Sequence, residues 1–233
     1  MTPVITIRPA PGDAATVERG AHQGLAITSR PLFSVGAVPW AVPDPADFEA
    51  VLLGSANALR HGGAGLQALT ALPALCVGET TAEAARETGF TVIAVGARGM
   101  QTLLPHAEAR GLTRLLRLSG EAHVPLDPPP GIAIEPRVVY RVQPRPIDRS
   151  LAGMLAGGAI VLLHSGEAAG HFAGECDRLG LPRGAIALAC LAPRIARMAG
   201  EGWAACRHAP SPDDAALLAL ADQMCQSRLP GKV

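Results

Sequence analysis

The sequence predicts an α/β fold with parallel sheets, divided into two domains of which one is inserted in the other. Three observations carry that expectation. Short aliphatic runs alternate with Ala- and Leu-rich segments of helical period along the whole chain, the pattern of sheets joined by crossover helices. Ten strand candidates suit two small sheets better than one large one. An internal repeat supplies two similar units: "AVLLGSANAL" from Ala50 resembles "AIVLLHSGEAA" from Ala159, each an apolar strand, a serine (Ser55 or Ser165) and a small-residue helix start. Further on, "GETTAEAARETGF" aligns with "LAPRIARMAGEGW", placing Gly89 opposite Gly202, and "GARGMQTLL" aligns with "APSPDDAALL".

Taken in order, "VITI" and "GLAIT" are the first strands, and the "PAPGDAATVERGAHQG" between them has so little apolar face that only a short helix is expected. "PLFSVGAVPWAVPDP" is extended and proline-punctuated, which fits a crossing between domains. "AVLLG", "ALCVG" and "TVIAV" follow as strands. After "ALCVG", Gly78 lets the backbone turn, Thr80 to Glu83 spells a T-x-x-E capping box, and Gly89 closes the helix in a left-handed cap. The same turn gathers unpaired N–H groups and positive dipole, so it can also hold an anion. "RLLRLSG" and "IAIEPRVVYRV" are next; the latter alternates around Tyr140 and runs into Pro144 and Pro146, a second crossing. The chain thus leaves the first domain near Ser34 and returns near Tyr140. "AIVLLHS", "AIALAC" and "WAACRHA" complete the strands.

Composition narrows the function. A chain of 233 residues, 48% hydrophobic and 17% charged, is globular and able to bury a core in each of two domains. Net charge is zero and aromatics are 3%, which leaves neither the field nor the stacking platforms for nucleic acid, and no bulk attraction to an anionic membrane. Five cysteines, scattered and never in C-x-x-C spacing, argue against a disulfide framework or a zinc site. The start "MTPVITIRPAPGD" lacks a basic region leading into an apolar one, and no apolar run reaches spanning length, so a cytoplasmic protein is expected.

Familiar catalytic motifs are missing. "GGAGLQA" at Gly62 satisfies G-x-G-x-x-A but follows a helical segment, the wrong context for a dinucleotide fingerprint. There is no P-loop, G-x-S-x-G elbow or H-E-x-x-H pair. The seven histidines, His123 and His164 at strand ends among them, have neither metal-ligand spacing nor an identifiable acid partner. What remains is a set of small polar and glycine residues at strand carboxyl ends: Ser55 and Asn57, Gly78 with Thr80 and Thr81, Ser119 with Gly120, and Ser165 with Gly166. Ligands of parallel sheets bind outside those ends, so on two facing units these residues describe a polar cleft. Arg8 ends the first strand, and Arg137, Arg141, Arg145 and Arg149 flank Tyr140; a solvated edge strand and a carboxylate-binding wall both account for that density.

In order and spacing these residues resemble the uroporphyrinogen-III synthase family over nearly the whole chain: "ITIRP", "RPLF", "VLLGSANAL", "CVGETTAEAARETGF", "LRLSGE", "VVYRV" and "VLLHSGEAA". The resemblance implies two parallel, flavodoxin-like domains flanked by helices and joined by a two-stranded linker: residues 1–34 and 145–233, an inserted domain 41–137, and linker strands 35–40 and 138–144. It implies cyclisation of hydroxymethylbilane to uroporphyrinogen III, with ring D inverted and water lost, by a monomer needing no metal or organic cofactor and having transient contact with hydroxymethylbilane synthase. Tyr140 is then the candidate acid, since a phenol carries its proton at neutral pH. Arg8, Ser55, Asn57, Gly78, Thr80, Thr81, Gly120, Ser165 and Gly166 are the expected substrate contacts. Two departures stand out. Where the family commonly has Gly or Ser with Thr, this chain has Leu191, Ala192, Pro193 and Arg194, and near Val124, where the family often supplies a basic residue, only His123 is close. The alternative is a non-catalytic cleft protein that binds a small polyanion.

Overall fold

The structure is a computed structural model that describes residues 2–97 and 99–227. Its chain divides into two compact units, Met1–Ser34 with Pro144–Val233, and Val35–Gln143.

The first unit contains β1 (Val4–Thr6), α1 (Gly12–His22) and β2 (Ile27–Ser29) before the crossing strand β3 (Phe33–Ala37). The second unit follows with β4 (Ala50–Leu53), α2 (Ala56–His61), β5 (Ala74–Val77), α3 (Glu79–Thr88), β6 (Val92–Gly96), α4 (Leu104–Glu108) and β7 (Arg114–Gly120). The long β8 (Ala133–Pro144) returns the chain to α5 (Arg149–Ala156), β9 (Ala159–Leu163), α6 (Gly166–Arg178), β10 (Ile186–Cys190), α7 (Pro193–Ala199), β11 (Ala205–His208) and α8 (Asp214–Gln226).

One sheet runs β11-β10-β9-β1-β2, all parallel, and the other β3-β8-β7-β4-β5-β6, parallel from β8 to β6. The two orders are one topology, circularly permuted. β9, β10 and β11 correspond to β4, β5 and β6, while the remaining pair precedes them in the first unit (β1, β2) and follows them in the second (β7, β8). The segments expected as linkers fall on β3 and β8, neighbours at one edge of the six-stranded sheet.

Central strands are apolar on both faces because each face is covered. On β9, Val161 and Leu163 join the core under α5 and α6, while Ile160 and Leu162 join the one under α8. In the second unit Val51 and Leu53 of β4 pack toward α2 and α3, and Ala50 and Leu52 toward α4.

Two local expectations change. The helix after β1 is not short; it runs 11 residues. Its buried face is made of Thr16 and Gly20, and a Cβ on Gly20 would stand 2.4 Å from Ile27 Cδ1, so close backbone approach replaces an apolar stripe. Thr80 does not cap α3: the cap position is Gly78, at φ +75°, with no side-chain cap bond, and the helix starts at Glu79. A glycine in that conformation redirects the chain one residue before the T-x-x-E pattern takes effect. Gly89 does close α3 in the left-handed region.

Candidate active site

Strand order fixes where a ligand site forms. From β4 the chain steps outward to β5 and β6, then returns to β7 on β4's other side, so the loops leaving β4 and β7 turn apart and open a crevice at their carboxyl ends. A cavity of about 350 Å³ lies there. Gly54 and Ser55 line it from β4, Arg117, Ser119 and Gly120 from β7, and Tyr140 from β8. Gly99 to Gln101 and the segment Ala122 to Leu126 close its sides.

Tyr140 sits beside Gly120 in register, across an irregularity in the β7·β8 ladder. A Cβ on Gly120 would meet the Tyr140 ring at 2.8 Å, so the phenol lies directly against backbone. The hydroxyl has no hydrogen-bond partner among the described residues, and His61 is the nearest ring, 6.4 Å between centroids. His123 Nδ1 donates to the Gly120 carbonyl at 2.9 Å, which leaves Nε2 as the ring's acceptor when neutral.

Arg117 is the residue that sequence reading missed. It is 7% exposed, on a strand whose neighbouring positions are leucines. Its Nη1 donates to the Val124 carbonyl at 2.9 Å, Nε is buried without a partner, and no described carboxylate pairs with it. Burial pulls its pKa down, with the nearby Tyr140 opposing. The signal was present as an arginine inside "RLLRLSG", where an otherwise apolar, two-faced strand requires a reason for a cation.

The first unit has its own switch point, between β1 and β9, and there a polar cluster stands instead. Asp214, at the start of α8, accepts from His164 Nε2 at 2.8 Å, from Arg19 at 2.6 Å and from Thr16 at 3.1 Å, with Arg8 at 3.6 Å. Burial resists charge on Asp214, but the hydrogen bonds from His164 and Arg19 overcome it and hold the carboxyl well below the usual range. His164 therefore does have an acid partner, fifty residues away in sequence.

Of the expected contacts, Ser55, Gly120 and Tyr140 share the cavity wall, whereas Asn57, Gly78, Thr80 and Thr81 lie outside it. Ser55 caps α2 through Asn57 N (3.2 Å), and Thr81 is buried under α3 while Thr80 is exposed. In the other unit, Ser165 caps α6 through Ala168 N (3.1 Å), the Met198 side chain lies over Gly166, and Arg8 donates to Thr16 at 3.1 Å. Arg137 pairs with Glu135.

The family profile described as "Uroporphyrinogen-III synthase HemD" matches residues 14–219. The chain belongs to the uroporphyrinogen-III synthase family. Its activity is accordingly that of a lyase of tetrapyrrole biosynthesis, closing a linear tetrapyrrole to uroporphyrinogen III. Uroporphyrinogen-III synthetase from Helicobacter pylori has the same fold, with TM-score 0.65 at 19% identity over 96% of this chain and 100% of that one. A mutant uroporphyrinogen-III synthase from the extreme thermophile Thermus thermophilus gives TM-score 0.53 at 15% identity over 98% and 100%. A search of curated proteins by sequence finds no significant match. Among the described residues no cluster of His, Cys, Asp and Glu has the makings of a metal site, and no helix is long and apolar enough to cross a membrane.

Proposed function

We propose that this synthase holds the hydroxymethyl-bearing ring of hydroxymethylbilane at the β4·β7 crevice and that Tyr140 protonates the departing hydroxyl. The observation that carries the reading is a phenol with no hydrogen-bond partner among the described residues, in the wall of a cavity lined by a buried cation and no carboxylate. The pyrrole nitrogen's lone pair expels the hydroxyl as Tyr140 donates its proton, and water leaves. The electron-poor methylene carbon is then attacked by the already substituted α-carbon of ring D; that carbon's bond to the methylene of the neighbouring ring breaks, the released methylene bonds to ring D's free α-carbon so that the ring is inverted, and the proton this carbon loses restores the phenol. Little else is demanded of the protein than positioning, which agrees with the absence of a triad or metal motif.

Substrate carboxylates meet the first main-chain N–H groups of helices in this reading: that of Ala56 after Ser55, those of Glu79 and Thr80 after Gly78, and those of Gly166 and Glu167 after Ser165, the later amides being bonded already to Ser55, Gly78 and Ser165. Arg8, whose Nη1 is engaged with Thr16, keeps its remaining N–H donors and its charge for a substrate carboxylate. The protein acts as a cytoplasmic monomer and takes its substrate by transient contact with hydroxymethylbilane synthase, because the free bilane closes unaided to the type I isomer.

The test supplies freshly made hydroxymethylbilane, stops the reaction early, oxidises the products and separates the isomers chromatographically. A large excess of type III over type I is expected. Type I alone overturns the reading.

A further inference from the structure

A buried guanidinium without a counter-charge is an expense that folds rarely carry. Removing an arginine from water without pairing it is strongly unfavourable, and an orphaned buried donor adds a further desolvation penalty. Arg117 has both defects: Nε is shut away without an acceptor, and no described carboxylate answers its charge. The protein uses only one corner of the fork, Nη1 to Val124 O. That leaves the Nε and Nη2 edge, the side on which a guanidinium takes both oxygens of one carboxylate.

The surroundings select the ligand. Arg117 and Ser119 stand two residues apart on β7 and so point to the same face, into the crevice. Ser119 Oγ lies 3.5 Å from His123 Nδ1, which itself donates to Gly120 O, so the serine hydroxyl is not firmly held. Met100, Leu118 and Leu126 supply apolar wall. A space of about 350 Å³ is at the small end for ligand pockets and suits one pyrrole with its acidic arms, not four.

We propose that Arg117 is the carboxylate receptor of a single-ring subsite, binding one acid arm of the substrate side-on and thereby setting which ring lies beside Tyr140. This rests on the proposed placement of hydroxymethylbilane in the crevice. Arg117 is then a substrate-positioning residue, and Ser119 seconds it.

Porphobilinogen, one pyrrole bearing an acetate and a propionate, is the probe. Titrated into the intact wild-type protein with ¹⁵N-labelled arginine, it is expected to shift a single slowly exchanging Nε–H resonance that is absent from Arg117→Lys. No such shift overturns the proposal, without reference to any variant's folding. Arg117→Gln is expected to weaken porphobilinogen binding and to raise KM for hydroxymethylbilane at least tenfold, with the type III to type I ratio falling; Arg117→Lys restores part of the KM and less of the ratio. An Arg117→Gln protein that melts like wild type yet keeps KM, isomer ratio and porphobilinogen affinity also overturns it, while the wild-type isomer assay still stands. Conversely, wild type yielding only type I removes the reaction, and the Nε–H titration then decides the subsite alone.

Discussion

Tyr140 lies against Gly120 with no room for a methyl group between them, and that contact makes two residues testable at once. Gly120→Ala puts a Cβ 2.8 Å from the ring, so the ring must tilt out of the wall. Overpacking of this kind costs about 1–3 kcal/mol. The expected result is a lower melting temperature and at least a tenfold loss of turnover; wild-type values for both would show that the ring's seat is unimportant. Tyr140→Phe keeps the packing and removes the proton. A general acid contributes about 10²-fold or more, so kcat is expected to fall by about that factor with the isomer ratio retained. Unchanged turnover in a rapid-quench assay would end the acid role. As the chain's only tyrosine, Tyr140 also gives a clean absorbance signal for its own surroundings.

At the level of elements, α8 depends on its first residue. Asp213 caps the helix through Ala216 N, while Asp214 complements the positive end of its dipole and gathers His164, Arg19 and Thr16 around one carboxylate. Asp214→Asn leaves the Arg19 and Arg8 guanidinium groups facing a neutral amide, and with both partly in water the expected loss is about 1–3 kcal/mol. A lower urea midpoint checks it; no change would mean the cluster is idle. This cluster also shows why sequence reading reached only so far. Strands such as "AVLLG" and "AIVLLHS" announce themselves, since a run buried on both faces is apolar throughout, and Ser55 and Ser165 mark the helix starts that follow. His164 and Asp214 meet only through the fold, with no local pattern to pair them. Thr80 misled for the opposite reason. Its motif is local and correct in spelling, but Gly78 had already turned the chain. Arg117 was legible as an anomaly in composition, yet its lack of a partner is a property of packing.

For the whole molecule, acid is the revealing variable. Glu175 is held at a pKa of about 2, first by its hydrogen bonds from Arg178 and then by the amide of Ile147. An unfolded glutamate titrates near about 4.3, so the folded state binds the proton less readily. The stabilisation is therefore complete above the unfolded value and drains away as pH falls from about 4 toward 2. Melting temperatures across that range are expected to fall, with the gap between wild type and Glu175→Gln open at pH 7, narrowed by pH 2 and closed only below it. A constant gap would show that the bridge does not sense the proton.

The permuted order of the strands also dictates a schedule for synthesis. β4 to β8 are contiguous in the chain, and every neighbour they need except the edge strand β3 emerges with them, so the inserted unit has its sheet as soon as residue 143 clears the ribosome. β1 has only β2 for company until then, because its other partner, which places Val4 beside Ile160, has not been translated. Vectorial folding thus runs from the middle outward. A nascent chain stalled shortly past β8 would carry a finished inner lobe and an N-terminal arm still waiting, exposed to chaperones and proteases, for the second half of its sheet.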